Sequence, residues 1–156
     1  MTSAAGAAVP LPFVPLLGGE IELQDDDELY LRQCNPRFMQ GDQPSDQLFK
    51  PSSSDGDKLS GSRSSMATAQ EAYDFRNGQR QGSTVGSWSV SVEEVKGVGS
   101  RVVDDAASTE APPAPIPPGH VYMDMRPFST LSTEQRRTLR STLLIASLKR
   151  GRQHPV

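Results

Sequence analysis

The chain predicts an α+β domain: a small twisted sheet with helices packed on one side, long loops and an extended N-terminal tail. Three observations predict it. Trp88, Val90 and Val92 alternate with Ser87, Ser89 and Ser91, the period of two that marks a strand with one buried face. Ser132 and Gln135 form a capping box before an apolar stripe of Leu139, Leu143 and Ala146, with Leu144 and Leu148 beside it. Short strand signals stand at 28–33 and 120–125, with a second capped helix between them.

Residues 1–24 read as a tail set apart from the core. Pro, Gly and Ala dominate, and Phe13, Val14, Leu16 and Leu17 are its large apolar anchors. Such anchors either stay loose or dock on a protein partner. The acidic run Asp25-Asp26-Asp27-Glu28 marks the boundary of a single domain over 25–156. Leu29 and Leu31 then alternate with Tyr30 and Arg32. Pro36 ends that strand, because the residue before proline is pushed out of helical space.

Residues 40–64 carry Gly, Pro, Ser and Asp throughout, with Leu48, Phe49 and Leu59 to pin them. They read as a long loop, either flexible or functional. Thr68 and Glu71 open a helix of about 69–77, stopped at Gly78. The Trp88 strand spans about 86–93. Ala106 to Pro118 is a Pro/Ala linker. The last helix spans 133–150, with Gly151 beyond it.

Composition narrows the function classes. The formal net charge is −3, with 12 Arg against 4 Lys. Whole-molecule charge therefore argues for no particular partner. The basic side of the last helix makes nucleic acid a possible partner but not the favoured one. One cysteine excludes an internal disulfide and a cysteine-based zinc site. Two histidines, His120 and His154, are too few and too far apart for a metal centre, and no cofactor motif is present. The N-terminal apolar stretch has no preceding Lys or Arg and is broken by Pro10, Pro12 and Pro15, unlike a signal peptide. These readings predict a cytoplasmic protein with no membrane association.

The candidate ligand-binding residues are Arg32, Lys50, Arg63 and His120. A guanidinium grips a phosphate or carboxylate through paired hydrogen bonds. His120 follows Pro-Pro-Gly and opens a strand, a position suited to a general base. The expectation is that the four meet in one polar concavity. Asp57 and Asp124 are the internal counterions available to neutralise them.

Several blocks resemble a group of small uncharacterised bacterial proteins. In that group a Tyr-Arg-Gln-x-x-Pro strand precedes Phe-x-Pro, an Asp and Leu-Ser, and a His-Ala or His-Val strand precedes a helix ending in Arg-Gly. The matching residues here are Tyr30, Arg32, Gln33, Pro36, Phe49, Pro51, Asp57, Leu59, Ser60 and Arg63. Further along they are Thr68, Ala72, Pro117, Gly119, His120, Asp124, Leu131, Ser132, Arg150 and Gly151. Leu31 is inserted relative to the Tyr-Arg-Gln pattern. The resemblance implies a shared fold over about 28–155.

Two functions follow as expectations. One is a non-enzymatic interaction or accessory module of a bacterial multi-protein system, such as a defence or toxin cassette, with a protein as partner. The alternative is a small nucleotide-handling enzyme. The Leu-Tyr-x-Arg opening and the Ser-x-x-Arg segment are similar to ADP-ribosyltransferase-like folds. The first strand carries no histidine, and Glu93 or Glu94 is the nearest choice for a glutamate.

Overall fold

The computed structural model of the chain describes residues 8–52, 55–110 and 115–156. The α+β class holds. Eight strands and three α-helices follow in chain order: β1 Ile21–Glu22, β2 Leu29–Gln33, β3 Met39–Gln40, β4 Gln43–Pro44, β5 Lys58–Arg63, α1 Ala69–Gln79, β6 Ser87–Ser91, α2 Val92–Gly97, β7 Val102–Asp104, β8 His120–Asp124 and α3 Thr133–Arg150. Six strands form an antiparallel sheet in the order β1-β7-β8-β5-β2-β6, and β3 and β4 form a separate hairpin.

Register assigns the two faces. Tyr30 lies opposite Val90, Leu59 opposite Met123, and Val102 opposite Met123. Directly opposed residues share a face, so these side chains stand together. They join Trp88, Val92, Phe49 and Leu143 in the hydrophobic core, against which Leu139 and Leu148 also pack. Helix α3 therefore covers this face. Its capping box forms as expected: Gln135 N–H donates to Ser132 Oγ, and Ser132 N–H donates to Gln135 Oε1.

Helix α1 takes the other face, so the two long helices do not share one side. Ser87 Oγ donates to the Ala69 carbonyl, and Ala72 is buried near Leu31. The small serine side chains of β6 let a helix approach closely there. The cap at Thr68 and Glu71 is reciprocal, and the helix runs through Gly78 to Gln79.

Three differences from the sequence reading have physical causes. First, the stretch 40–64 is largely structured. A 3₁₀ turn, Asp46–Phe49, drives Leu48 and Phe49 into the core, and β5 occupies the middle of the sheet. Second, the β6 strand stops at Ser91. A capping box of Ser91 and Glu94 starts α2, so Val92 is buried as the first helical residue. Third, residues 8–24 join the domain. β1 pairs with β7, Leu23 is buried in the core, and Leu11 N–H donates to the Pro127 carbonyl. The tail boundary at 24/25 is thus too late. Residues 1–7 of that tail, 53–54 of the loop and 111–114 of the Pro/Ala linker lie outside the described residues.

The exposed edge of β6 is covered by the chain's own C-terminus. Ser87 N–H donates to the His154 carbonyl, and Gln153 N–H donates to the Ser87 carbonyl. Arg150 reaches back to the Ser89 carbonyl and pairs with Glu94 at 2.9 Å. An edge strand so occupied is poorly suited to pair with another chain.

Candidate functional site

The sheet splits in its middle. β2 pairs with β6 over five residue pairs, and β5 pairs with β8 over five. β2 and β5 themselves pair over two, Tyr30 with Arg63 and Leu31 with Ser62. Beyond them Arg32 and Gln33 stay with β6, while Ser60 and Leu59 stay with β8. A strand that parts from its neighbour leaves carbonyls without donors, and buried carbonyls need donors. Two side chains of β2 reach into the gap. The Tyr30 hydroxyl lies 2.7 Å from the Leu59 carbonyl and 2.9 Å from the Ser60 carbonyl. Arg32 donates to the Ser60 carbonyl at 2.8 Å and to the Leu48 carbonyl at 3.0 Å.

A cavity of about 270 Å³ opens at this split. Leu31, Gly61 and Ser62 form its floor, and Ala72, Phe75 and Arg76 of α1 form one wall. Asn35, Arg37 and Phe38 come from the turn after β2, and Lys50, Ser52 and Asp55 from the segment before β5. Pro117 and His120 close the remaining side. Gln33 is fixed at both ends of its amide: its Nε2 donates to Ser87 Oγ at 2.8 Å, and Thr84 Oγ1 donates to its Oε1 at 3.1 Å.

Three of the four candidate residues, Arg32, Lys50 and His120, line this cavity. Arg63 does not. It points to a buried carboxylate, donating twice to Glu28 at 2.9 and 2.8 Å and once to Asp104 at 2.8 Å. Ser65 adds hydroxyl and backbone N–H bonds to Glu28. The Arg63 hydrogen bonds hold the Glu28 carboxyl at about 2, well below the usual carboxylate range, and outweigh the upward push of burial.

The counterions are also distributed differently from the expectation. Asp124 is fully buried and accepts from Arg101 at 3.1 Å and from Arg126 at 2.9 Å. Burial pushes its carboxyl up, but the arginine bonds win and the net shift is downward. Asp57 stands at the entry to β5 with a positive φ of 61° and borders a different, apolar cleft beside Phe49 and Leu139. Neither reaches the split. Among the described residues, no carboxylate lies within ion-pair distance of Arg32, Arg37, Lys50 or Arg76. Asp55 is the one carboxylate among the cavity-lining residues, and its Oδ2 accepts the Ser52 N–H at 2.7 Å.

His120 has its own orienting group. Its Nδ1 lies 2.7 Å from Asp105 Oδ1, and both residues are more than nine-tenths buried. The sequence reading missed Asp105, Arg37, Asp55 and Arg76 as site residues. Asp105 lies 15 residues before His120 across a Pro-rich segment, and no helical or strand spacing links the two. Arg76 did carry a signal, since it shares a helix face with Ala72. Glu94 is committed to its cap and to Arg150, and neither it nor Glu93 lines the cavity.

Cys34 is a poor nucleophile here. It is buried, and burial pushes its thiol up to about 11. Among the described residues, no three His, Cys, Asp or Glu side chains gather as a metal site would require. No described helix is long and apolar enough to cross a membrane.

The anchors proposed for a partner lie along their own domain. The Phe13 ring packs 4.4 Å from the Arg101 guanidinium, and Arg101 also donates to the Val14 carbonyl at 2.6 Å. Phe13 and Val14 keep 41% and 44% of their surface exposed, while Leu16 and Leu17 are half-buried. The chain matches no family model, no curated protein and no solved structure.

Proposed function

We propose that the protein binds a phosphate-bearing small molecule of nucleotide type in the cavity at the sheet split. One observation carries this reading. Arg32 is half-buried and anchored by two neutral carbonyls, so its hydrogen bonds are partly satisfied while its charge is not. A guanidinium away from bulk water favours an anion beside it. Arg37, Lys50 and Arg76 surround the same space, and a phosphate matches their number and placement better than a single carboxylate would. The volume is near the lower end of small-molecule pockets, which run from roughly 300 to 1,000 Å³. Whether the ligand is only held or also transformed separates a sensor or accessory module from a small enzyme.

Calorimetric titration with AMP, ADP and ATP tests the proposal. Lys50→Ala removes an exposed ammonium that makes no hydrogen bond within the described protein, so stability should be kept while affinity falls. Arg32→Ala should lower affinity roughly 10-fold to 100-fold, the worth of a charge-assisted hydrogen bond. No binding by wild type, or equal binding by both variants, refutes the proposal. In that event the interaction-module reading gains, on the strength of the exposed row Leu11, Phe13 and Val14.

A further inference from the structure

We infer that His120, oriented by Asp105, is the general base of a phosphoester-hydrolysing site in this cavity. The inference rests on the ligand reading above and extends it from binding to chemistry. Three features point to it.

The first is orientation. Asp105 Oδ1 sits 2.7 Å from Nδ1, which fixes the ring and keeps the proton on that nitrogen when the imidazole is neutral. The second is access. Nε2 has no partner among the described residues, yet it is not sealed in: His120 lines the cavity. The third is company. Ser62 lies directly across from His120 in the β5–β8 register, also lines the cavity, and its hydroxyl has no partner among the described residues. A water between Ser62 Oγ and Nε2 would have an acceptor and a donor at hand.

The charged groups that face this ring complete the argument. Asp105 meets it from the segment after β7. Arg32, Arg37, Lys50 and Arg76 reach the same cavity from β2, the turn after it, the β5 approach and α1, and Asp55 enters beside Lys50. The cations would hold the phosphate oxygens and stabilise the charge that grows on them during attack. In the step itself, Nε2 takes a proton from water and the water oxygen bonds to phosphorus. The ester P–O bond breaks with its electron pair passing to the leaving oxygen. That oxygen takes a proton from solvent, and His120 returns its own to solvent. The sum is ester plus water giving alcohol plus phosphate monoester or free phosphate.

Thymidine 5′-(p-nitrophenyl phosphate) is the probe for turnover, followed as nitrophenolate absorbance. Thymidine 5′-phosphate is the probe for binding, by calorimetry. Wild type should turn over with a rate that rises with pH and then levels, the profile of a reaction that needs a general base. His120→Gln should lower turnover at least about 100-fold, the usual scale of general-base removal, with affinity within about 2-fold of wild type. Asp105→Asn tests the positioning role: turnover should fall while the pH limb shifts, which a merely structural aspartate would not cause. Binding without turnover, equal turnover in His120→Gln, or a pH-independent wild-type rate overturns the inference and leaves the binding proposal standing. Absence of binding to wild type removes both. The wild-type pH profile needs no variant, so a variant that fails to fold does not rescue the inference.

Discussion

Gly61→Ala tests how the sheet is held open. β5 passes beneath the Tyr30 ring at Gly61. A Cβ there would lie 2.4 Å from Tyr30 Cε2, 2.6 Å from Cζ and 2.8 Å from the Leu31 carbonyl oxygen. Carbon atoms prefer separations of about 3.5–4.0 Å, so something must move by about 1 Å or more. The ring cannot swing freely. Tyr30 is fully buried, and its hydroxyl is tied to the Leu59 and Ser60 carbonyls. Overpacking costs roughly 1–3 kcal/mol, and losing the buried hydroxyl bond adds roughly 1–3 kcal/mol. The stiffer unfolded chain returns about 0.4–1 kcal/mol. The net loss is about 1–6 kcal/mol. For a domain of this length each kcal/mol lowers Tm by roughly 2–4 °C, so a drop of at least about 2 °C is expected. Scanning calorimetry reads it directly. Repeating the substitution in a Tyr30→Leu background should cost much less, because the obstructing ring is gone. A Gly61→Ala protein within about 1 °C of wild type, or an unchanged cost in the Tyr30→Leu background, would refute the packing argument.

Two further outcomes follow from the same structure. Glu28 titrates at about 2 in the folded chain against 4.5 for the ordinary side chain; a depressed carboxylate contributes stability present above its unfolded value and lost as pH falls through the folded one. Urea unfolding should therefore weaken by about 3 kcal/mol between pH 5 and pH 2 from this group, and Glu28→Gln, though less stable at neutral pH, should flatten that limb. Trp88→Ala removes a ring that is 3% exposed in the main core and should cost roughly 3–5 kcal/mol; a soluble variant with unchanged Tm would contradict the face assignment.

The parts of the fold legible in the sequence are those whose signal is local. The cap of α3 lies within four residues, and the alternation of β6 within five, so both are readable without knowing what they touch. β5 is different. Lys-Leu-Ser-Gly-Ser-Arg has one large apolar residue, and its place in the middle of the sheet depends on neighbours far along the chain. Its glycine exists for the Tyr30 ring, and its serines line a cavity. Ser91 shows the opposite failure: the strand pattern continues past it on paper, yet its side chain caps a helix. The first segment misled for a third reason. Proline-rich extended chain has no periodicity, so nothing in residues 8–24 announces that Leu23 enters the core or that Ile21 and Glu22 pair with β7. At the site, residue type alone picked out Arg32, Lys50 and His120. It could not tell Arg63 from Arg32, because the difference lies in what each guanidinium meets.

That difference decides where a positive potential survives. Arg63, Arg101 and Arg126 all end on carboxylates, so each is neutralised within the protein. Such arginines hold elements together and have no spare charge for a ligand. Arg32 ends on carbonyls instead: that of Ser60, which the parting of β2 from β5 leaves exposed, and that of Leu48 in the 3₁₀ turn. A carbonyl satisfies an N–H but cancels no charge, and in a partly desolvated setting the remaining field is stronger than it would be in water. The split in the sheet therefore produces the cavity and also fixes the cation at its edge by a means that leaves the cation active. Closing the split with a full β2–β5 ladder would satisfy the Ser60 carbonyl through the backbone and leave Arg32 held by the Leu48 carbonyl alone. The proposed anion site and the short two-pair junction between these strands are thus one feature, and a chain that kept one would be expected to keep the other.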